Sequence, residues 1–364
     1  MNVIVLCLLA MLPVAVSAQG IDPYQPLRDP GAGYARVTPG RAFAFPRDHL
    51  PHPGYRIEWW YLTANLTDAG GRRWGVQWTL FRQQLAPGAD PGGWSSSQMW
   101  MAHAALTTPD GYRHEQRFAR GGIGQAGVAV RDGRFSAWLD DWSLVADGAE
   151  LFPARLDATV DGARVRLALS ARTPYVLQGE GGYSRKSAQG QASYYYSQPH
   201  VRVDGAVTVD GRPVRLSGTG WLDREWSSQP LAANQQGWDW FSLHLADGHA
   251  LMVYRLRHAD GPDWVSGSWI DAEGRSETLG PEDITLDVLE RRTVATPTPG
   301  QPDATRRLPL AWRVSLPGQD KSWTVRAVRD DQWMGGRFPY WEGVVQVDDG
   351  AAGMGYLELT GYAP

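Results

Sequence analysis

The chain has 364 residues, 43% of them hydrophobic, which is enough to bury two cores of ordinary size. Its formal net charge of −4 removes the electrostatic attraction that a nucleic-acid partner requires, so nucleic acid is excluded as a partner class. The 18 Trp and 42 Gly fit tightly turned β structure around a large aromatic interior, not a helical protein.

Residues Asn2 to Ala18 form an apolar run that ends in Val16-Ser17-Ala18, small residues where a signal peptidase reads, followed by polar Gln19-Gly20. This pattern predicts a signal peptide over residues 1–18 and a periplasmic or secreted protein that begins near Gln19; a short membrane anchor is the alternative. The single cysteine, Cys7, lies inside the run, so a mature chain has no thiol, and its fold must rest on packing even in an oxidising compartment. Residues 19–52, rich in Pro, Gly and Asp without periodicity, read as an extended arm over a first barrel.

Strand patterns then take over. Ile57 to Leu66 and Trp74 to Arg82 alternate large and polar residues around Asp68-Ala-Gly-Gly71, which predicts a hairpin whose aromatic side chains face a common interior. Ala86 to Gly93 reads as a rim loop. Further strands are expected at Gln98–Thr107, Arg113–Phe118, Phe135–Leu139, Trp142–Val145, Leu151–Thr159, Arg164–Ser170, His200–Val209 and Pro213–Leu222, a meander that closes into a barrel. Gly179 to Gly190 reads as a flexible loop, and Thr293 to Arg307 as an exposed insertion.

The second half repeats the first. Gly237 to Arg257 answers the first hairpin, with Trp240-Phe241 in the place of Trp60-Tyr61 and Arg257 in that of Arg82. Tyr195 to Gly205 followed by Gly218-Thr-Gly-Trp-Leu-Asp223 resembles Tyr340 to Gly350 followed by Gly353-Met-Gly-Tyr-Leu-Glu358. Such a long period is one β fold present twice, over residues 53–230 and 231–364, joined near Ser228 to Gln236.

Asp223-Arg-Glu225 is the strongest chemical candidate, because strand periodicity puts Trp221, Asp223 and Glu225 on one face. Inside a barrel, desolvation and mutual repulsion would raise a carboxyl pKa and keep a proton available; the alternative is ion pairing with Arg224, Arg82 or Arg257. Glu58 is a further acid near that cluster or a salt-bridge partner of Arg82. His103 sits on an apolar face with Met99 and Met101, and His200 follows an aromatic run. No nucleophile elbow, phosphate loop, dinucleotide fingerprint or zinc motif occurs, so neither a cofactor nor a metal is expected.

Glu58-Trp-Trp-Tyr61, Gln77 with Phe81-Arg82, Ala102-His103, Gly220-Trp-Leu-Asp-Arg-Glu-Trp226, Trp238-Asp-Trp240 and Gly353 to Tyr362 together resemble the lipocalin-like AttH and carotenoid 1,2-hydratase (hydroxyneurosporene synthase) family. The resemblance implies an all-β protein of two tandem lipocalin-like (calycin) β-barrels, with a first-strand Trp, Trp59 or Trp60, near a late Arg. It also implies either cofactor-free hydration of an isoprenoid double bond, with Asp223 in the place of the proposed acid, or the undefined hydrolase activity of the secreted branch. That branch accompanies transporter-like membrane components, so an ABC-transporter permease is a possible partner. In the hydration reading Asp223 gives the proton, Glu225, Glu58 or His200 positions water, and Trp221, Trp60 and Tyr196 stabilise the cation. Trp240 and His103 complete the binding wall for a lipid or isoprenoid, and Arg82 and Arg224 serve as structural ion-pair partners. A non-catalytic lipid carrier and a solid structural adaptor remain as rivals.

Overall fold

Runs of alternating side chains bounded by Gly- and Asp-containing turns make this chain almost entirely strand. The computed structural model describes residues 24–29, 31–348 and 352–362; the apolar run of residues 1–18 lies outside them. The first half holds β1 (Ile57–Thr67), β2 (Arg73–Gln84), β3 (Gln98–Thr107), β4 (Tyr112–Arg120), β5 (Ala126–Arg131), β6 (Arg134–Leu139), β7 (Trp142–Ala146), β8 (Ala154–Val160), β9 (Ala163–Ala171), β10 (Val176–Leu177), β11 (Tyr183–Arg185), β12 (Ala192–Val209) and β13 (Arg212–Ser227). The second half holds β14 (Gln235–His244), β15 (Ala250–His258), β16 (Trp264–Ile270), β17 (Ser276–Leu279), β18 (Thr285–Ala295), β19 (Thr305–Leu316), β20 (Lys321–Ala327), β21 (Trp333–Met334), β22 (Tyr340–Asp348) and β23 (Ala352–Thr360).

Each half is one curled antiparallel sheet. The first runs β4-β3-β2-β1-β13-β12-β9-β8-β7-β6-β5, and the second β17-β16-β15-β14-β23-β22-β20-β19-β18. In both, the first long strand of the half pairs with its last, β1 with β13 and β14 with β23, which curls the meander into a barrel-like unit. The fold is therefore all-β, two lipocalin-like barrels in tandem.

The alternation of β1 sorts its side chains into two cores. Trp60, Leu62, Ala64 and Leu66 point into the first barrel with Trp78 and Trp226. Phe241, Leu243, Trp312 and Trp341 fill the second. Tyr61, Tyr195, Trp221, Trp240, Met252 and Tyr254 form a third core between the barrels. The expected common interior of the aromatic hairpin is thus two different interiors.

Glu58, Arg82 and Arg224, all fully buried, lock the end of the first barrel: Arg82 Nε and Arg224 Nη2 each donate to one oxygen of the Glu58 carboxylate, and the His52 amide donates at 2.9 Å. The Arg224 guanidinium lies 3.8 Å from the Trp60 ring centroid, so Trp60 is the first-strand Trp that stands beside a late Arg. In the second barrel Asp239 binds Arg255 at 2.7 Å and Arg257 at 2.5 Å.

Several expected boundaries move. The arm does more than cover the first barrel: Phe43 and Phe45 pack on its core, while Tyr24 donates to Pro339 O at 2.7 Å and meets Trp238 edge-on, tying the arm to the second half. β18 and β19 extend into the expected insertion and pair there, leaving only residues 296–304 as loop. The expected flexible loop at 179–190 carries β11 and a buried Lys186. β12 begins at Ala192 and β13 runs to Ser227, both longer than their alternation indicated, because their extra residues are buried on both faces.

Two outcomes follow from this packing. Burial raises the Glu58 carboxyl, but Arg82 and Arg224 outweigh it and hold it well below the usual carboxylate range. Its contribution is therefore full above the unfolded value of about 4.3 and is lost as pH falls below that. Glu58→Gln should cost about 3–5 kcal/mol by chemical denaturation at pH 7, since two buried guanidinium groups lose their counter-charge; a loss under about 1 kcal/mol would refute the lock. Gly75 sits where the halves approach: a Cβ there would meet Val344 Cγ2 at 2.2 Å and Tyr356 Oη at 2.5 Å. Gly75→Val should destabilise by about 1–3 kcal/mol, whereas an unchanged unfolding midpoint would show that the barrels are not in close contact there.

Candidate functional site between the barrels

Because β1 and β13 point Trp60, Leu222 and Arg224 inward, their other faces turn Tyr61, Trp221, Asp223 and Glu225 toward the second barrel. β14 and β23 do the same from the opposite side with Trp238, Trp240 and Glu358. The two walls enclose a cavity of about 170 Å³. Trp59, Tyr61, Phe81, Tyr195, Trp238 and Trp240 make its surface largely aromatic, and Asp223, Glu225, Lys186, His103 and Glu358 are among its polar lining groups.

Asp223 is held from both oxygens. Oδ1 accepts from Ser197 Oγ at 2.5 Å and from Trp221 Nε1 at 2.7 Å, and Oδ2 accepts from Tyr195 Oη at 2.7 Å. Burial pushes this carboxyl up to about 7, while those three bonds pull the other way and the nearby Glu225 adds to the rise. Tyr195 Oη in turn accepts from Trp240 Nε1 at 3.3 Å, so a hydrogen-bonded chain crosses from one barrel to the other.

Glu225 is neutralised differently: Lys186 Nζ lies 2.9 Å from Oε1, and Ser193 Oγ donates to the same oxygen. Burial lowers the Lys186 pKa, but the Glu225 charge and hydrogen bond, with Tyr254 and Asp223, together outweigh it and raise the ammonium above its ordinary value.

Glu358 accepts from Trp238 Nε1 at 3.0 Å. Burial carries its carboxyl up to about 8, opposed by that bond and reinforced by the charges of Asp223 and Glu225. Beside it in register stands Glu342, whose Oε1 accepts from Tyr61 and whose Oε2 has no partner among the described residues. Burial and the neighbouring Glu358 charge raise Glu342 well above the usual range, so it stays neutral and adds no repulsion.

Of the residues singled out from the sequence, Asp223, Glu225, Trp240 and His103 line this cavity, and Trp221 bonds directly to Asp223. His103 is no proton carrier near neutrality, since burial takes it down to about 3, and its ring is fixed between Tyr340 Oη at 2.7 Å and Gln116. Glu58, Arg82 and Arg224 stand on the inner face of the first barrel, away from the cavity. Trp60 and Tyr196 belong to that inner core as well, Tyr196 bonding His49 Nδ1 at 2.6 Å. His200 lies within a β-bulge of β12 and donates from Nε2 to Asp271 O at 2.8 Å, outside the lining. The water-positioning roles of Glu58 and His200 and the cation-facing roles of Trp60 and Tyr196 are therefore withdrawn.

The misplacement of Trp60 has one cause. Tyr61 stands opposite Asp223 and Trp240 opposite Glu358, so Trp240 answers Tyr61, not Trp60. A one-residue slip in matching the halves moves every side chain to the other face. With the register corrected, Glu358 is the counterpart of Asp223, a relation already visible in the two Gly-x-Gly-aromatic-Leu-acid segments. Nothing in its local sequence marked Lys186.

The family comparison agrees with this architecture. Residues 36–362 match the model of the AttH-like family. A crystal structure of an AttH protein from Nitrosomonas europaea is similar over 90% of this chain and 100% of its own, with 34% identity and a TM-score of 0.75. Kievitone hydratase from Nectria haematococca shares the fold over 91% of this chain and 97% of its own at 14% identity, TM-score 0.66. CghA, solved with Sch210972, does so over 92% and 96% at 15% identity, TM-score 0.54. No curated protein sequence matches. With nearly the whole described chain covered by one family model and by a structure of that family, this chain belongs to the AttH-like family.

Proposed function

We propose that this protein is a cofactor-free hydratase that adds water to a carbon–carbon double bond of an apolar, isoprenoid-like lipid held between the barrels. One observation carries the reading: two carboxyls from equivalent strand positions of the two halves, Asp223 and Glu358, line a single aromatic cavity and are raised to about 7 and about 8, where one can give a proton while the other takes one.

Hydration of an alkene starts with a proton delivered to carbon, which requires an acid still protonated at working pH. Glu358 suits that step: its carboxyl rises to about 8. The tertiary cation left behind faces Tyr61, Phe81 and Trp240, whose rings stabilise it without capturing it. Water then attacks and must lose a proton. Asp223, set by three donors to carry charge, takes it, with Tyr195 holding the water-side geometry. Exchange of that proton back to Glu358 closes the cycle. This assignment exchanges the acid and base roles that the sequence alone attached to Asp223 and its neighbours, and the Lys186–Glu225 pair contributes a neutral floor. Kievitone hydratase, a hydratase by name, shares the fold, which is in keeping with the reading.

Asp223→Asn and Glu358→Gln should each lower kcat by at least about 100-fold with ligand binding and unfolding midpoint nearly unchanged, measured on terpenoid and polyene alkenes by mass spectrometric detection of the hydrated product. If wild-type protein binds such lipids and never converts them, a carrier that hands lipid to an envelope transporter replaces this reading. The pH profile is a separate check. The active form has Asp223 ionised and Glu358 protonated, so kcat/KM should rise toward about pH 7 and fall above about pH 8. A profile flat from pH 6 to 9 would exclude the pair, on the ordinary meaning of such bells.

A further inference from the structure

The mouth of the cavity is bordered by side chains that the packing does not explain. Leu85 is 58% exposed, Trp94 77% and Phe118 40%, three of the exposed large apolar side chains. Each is tied to the mouth by position. Leu85 follows β2 directly, two positions after the lining residue Gln83, with its amide on Ser97 O at 2.7 Å, and Phe118 stands opposite lining Met101. Trp94 follows Gly93, whose backbone packs against Gly122, just beyond Arg120 at the end of β4. The loop before β22 closes the ring: the Arg337 amide donates to Gln116 at 2.8 Å, next to Phe118, and Phe338 lines the opening.

Charge follows the same border. Arg120, opposite lining Met99, and Arg337 are exposed and form no ion pair among the described residues. Along residues 85–95 the one charged side chain is Asp90, which is spent on Ser96 and Ser97 of its own loop. A protein of net charge −4 thus gathers exposed aromatic, aliphatic and cationic groups around one opening.

We infer that this rim docks the protein on an anionic lipid bilayer, with Trp94, Leu85 and Phe118 entering the headgroup layer and Arg120 and Arg337 meeting lipid phosphates. Amphipathic aromatic side chains and arginine are the groups that settle at a membrane–water boundary, and both kinds ring the cavity here. Docked in this way, the mouth opens toward the hydrocarbon, and an apolar ligand can enter without crossing water. The inference holds whether the bound lipid is hydrated or only carried.

Co-sedimentation of the full chain with vesicles tests it, using phosphatidylcholine alone and phosphatidylcholine mixed with phosphatidylglycerol. Wild type should pellet with the anionic vesicles and do so less as salt is raised. Trp94→Ala combined with Leu85→Ser should weaken partition on the order of ten-fold, and Arg120→Gln and Arg337→Gln by about five-fold each. These positions are exposed, so the unfolding midpoint should stay put. Asp223→Asn should bind like wild type, which separates docking from the chemistry of the cavity. The inference is overturned if wild type stays in the supernatant, if the rim variants pellet like wild type, or if sedimentation velocity shows a dimer that Trp94→Ala dissociates, for then a second copy is the occupant.

Discussion

The period of two along β1 and β13 is the constraint on which the rest of this molecule depends. Glu58 and Arg224 point inward, where with Arg82 they form a buried ionic lock; Tyr61, three residues on from Glu58, and Asp223, one before Arg224, point outward into the cavity. The lock and the site are two faces of one pair of strands, so an interaction that never touches ligand fixes where the cavity carboxyl stands. A buried ion triad is weak evidence for stability in itself. Its value here lies in register, because no other alignment of β1 on β13 places Glu58 beside both guanidinium groups.

Desolvation then divides the acids of the interface. Carboxylates so close together cannot all ionise in a dry wall. Glu225 is paired with Lys186, burial and the Glu358 charge raise Glu342 well above the usual range, and burial takes Asp223 to about 7 and Glu358 to about 8. Three donors around Asp223 favour its anion, while Glu358 has the single Trp238 bond, so the two halves supply equivalent positions with unequal proton affinity. Duplication alone would make a symmetric pair. The difference comes from the neighbours: Ser197 is a hydroxyl donor to Asp223, and its counterpart across the repeat, Glu342, directs its Oε1 to Tyr61 and gives Glu358 no hydrogen bond among the described residues.

How far the sequence could be read follows from the same physics. The β1–β2 hairpin was legible because its alternation is flanked by a turn of Asp and Gly, and the tandem fold because the halves repeat in order. The face that carries the chemistry was not. Strand alternation tells which residues share a face, but it shows which face is buried only when the other is polar; in β1 both faces are buried, one in a barrel and one between barrels, so Trp60 and Tyr61 looked alike. Asp223 and Glu225 were visible because acids in an aromatic strand are costly and need a reason. Lys186 was hidden, since it sits in a Gly-rich segment and its burial depends on Glu225 and on the rings of Tyr195 and Tyr254, 5.0 and 4.2 Å away, all brought from elsewhere in the chain.

An interface between two complete barrels also explains why the cavity can be reactive while the fold is not strained by it. Both barrel interiors are filled with aromatic and aliphatic side chains, so neither depends on the carboxyls of the gap for its own closure. A desolvated acid inside a barrel without the counter-charges that Glu58 has would weaken the core that encloses it. Placed between barrels, its cost falls on the contact of the halves, which the third core of Tyr61, Trp221, Trp240 and Tyr356 and the bound arm at Tyr24 oppose from several directions. The same location gives the cavity a mouth at the seam, and a seam can admit a ligand by small movements of one barrel against the other where a closed barrel would have to break strand hydrogen bonds. Tyr24 and Leu27, which line the cavity from the arm, stand at that seam, so the arm that ties the halves together also limits how far they can part.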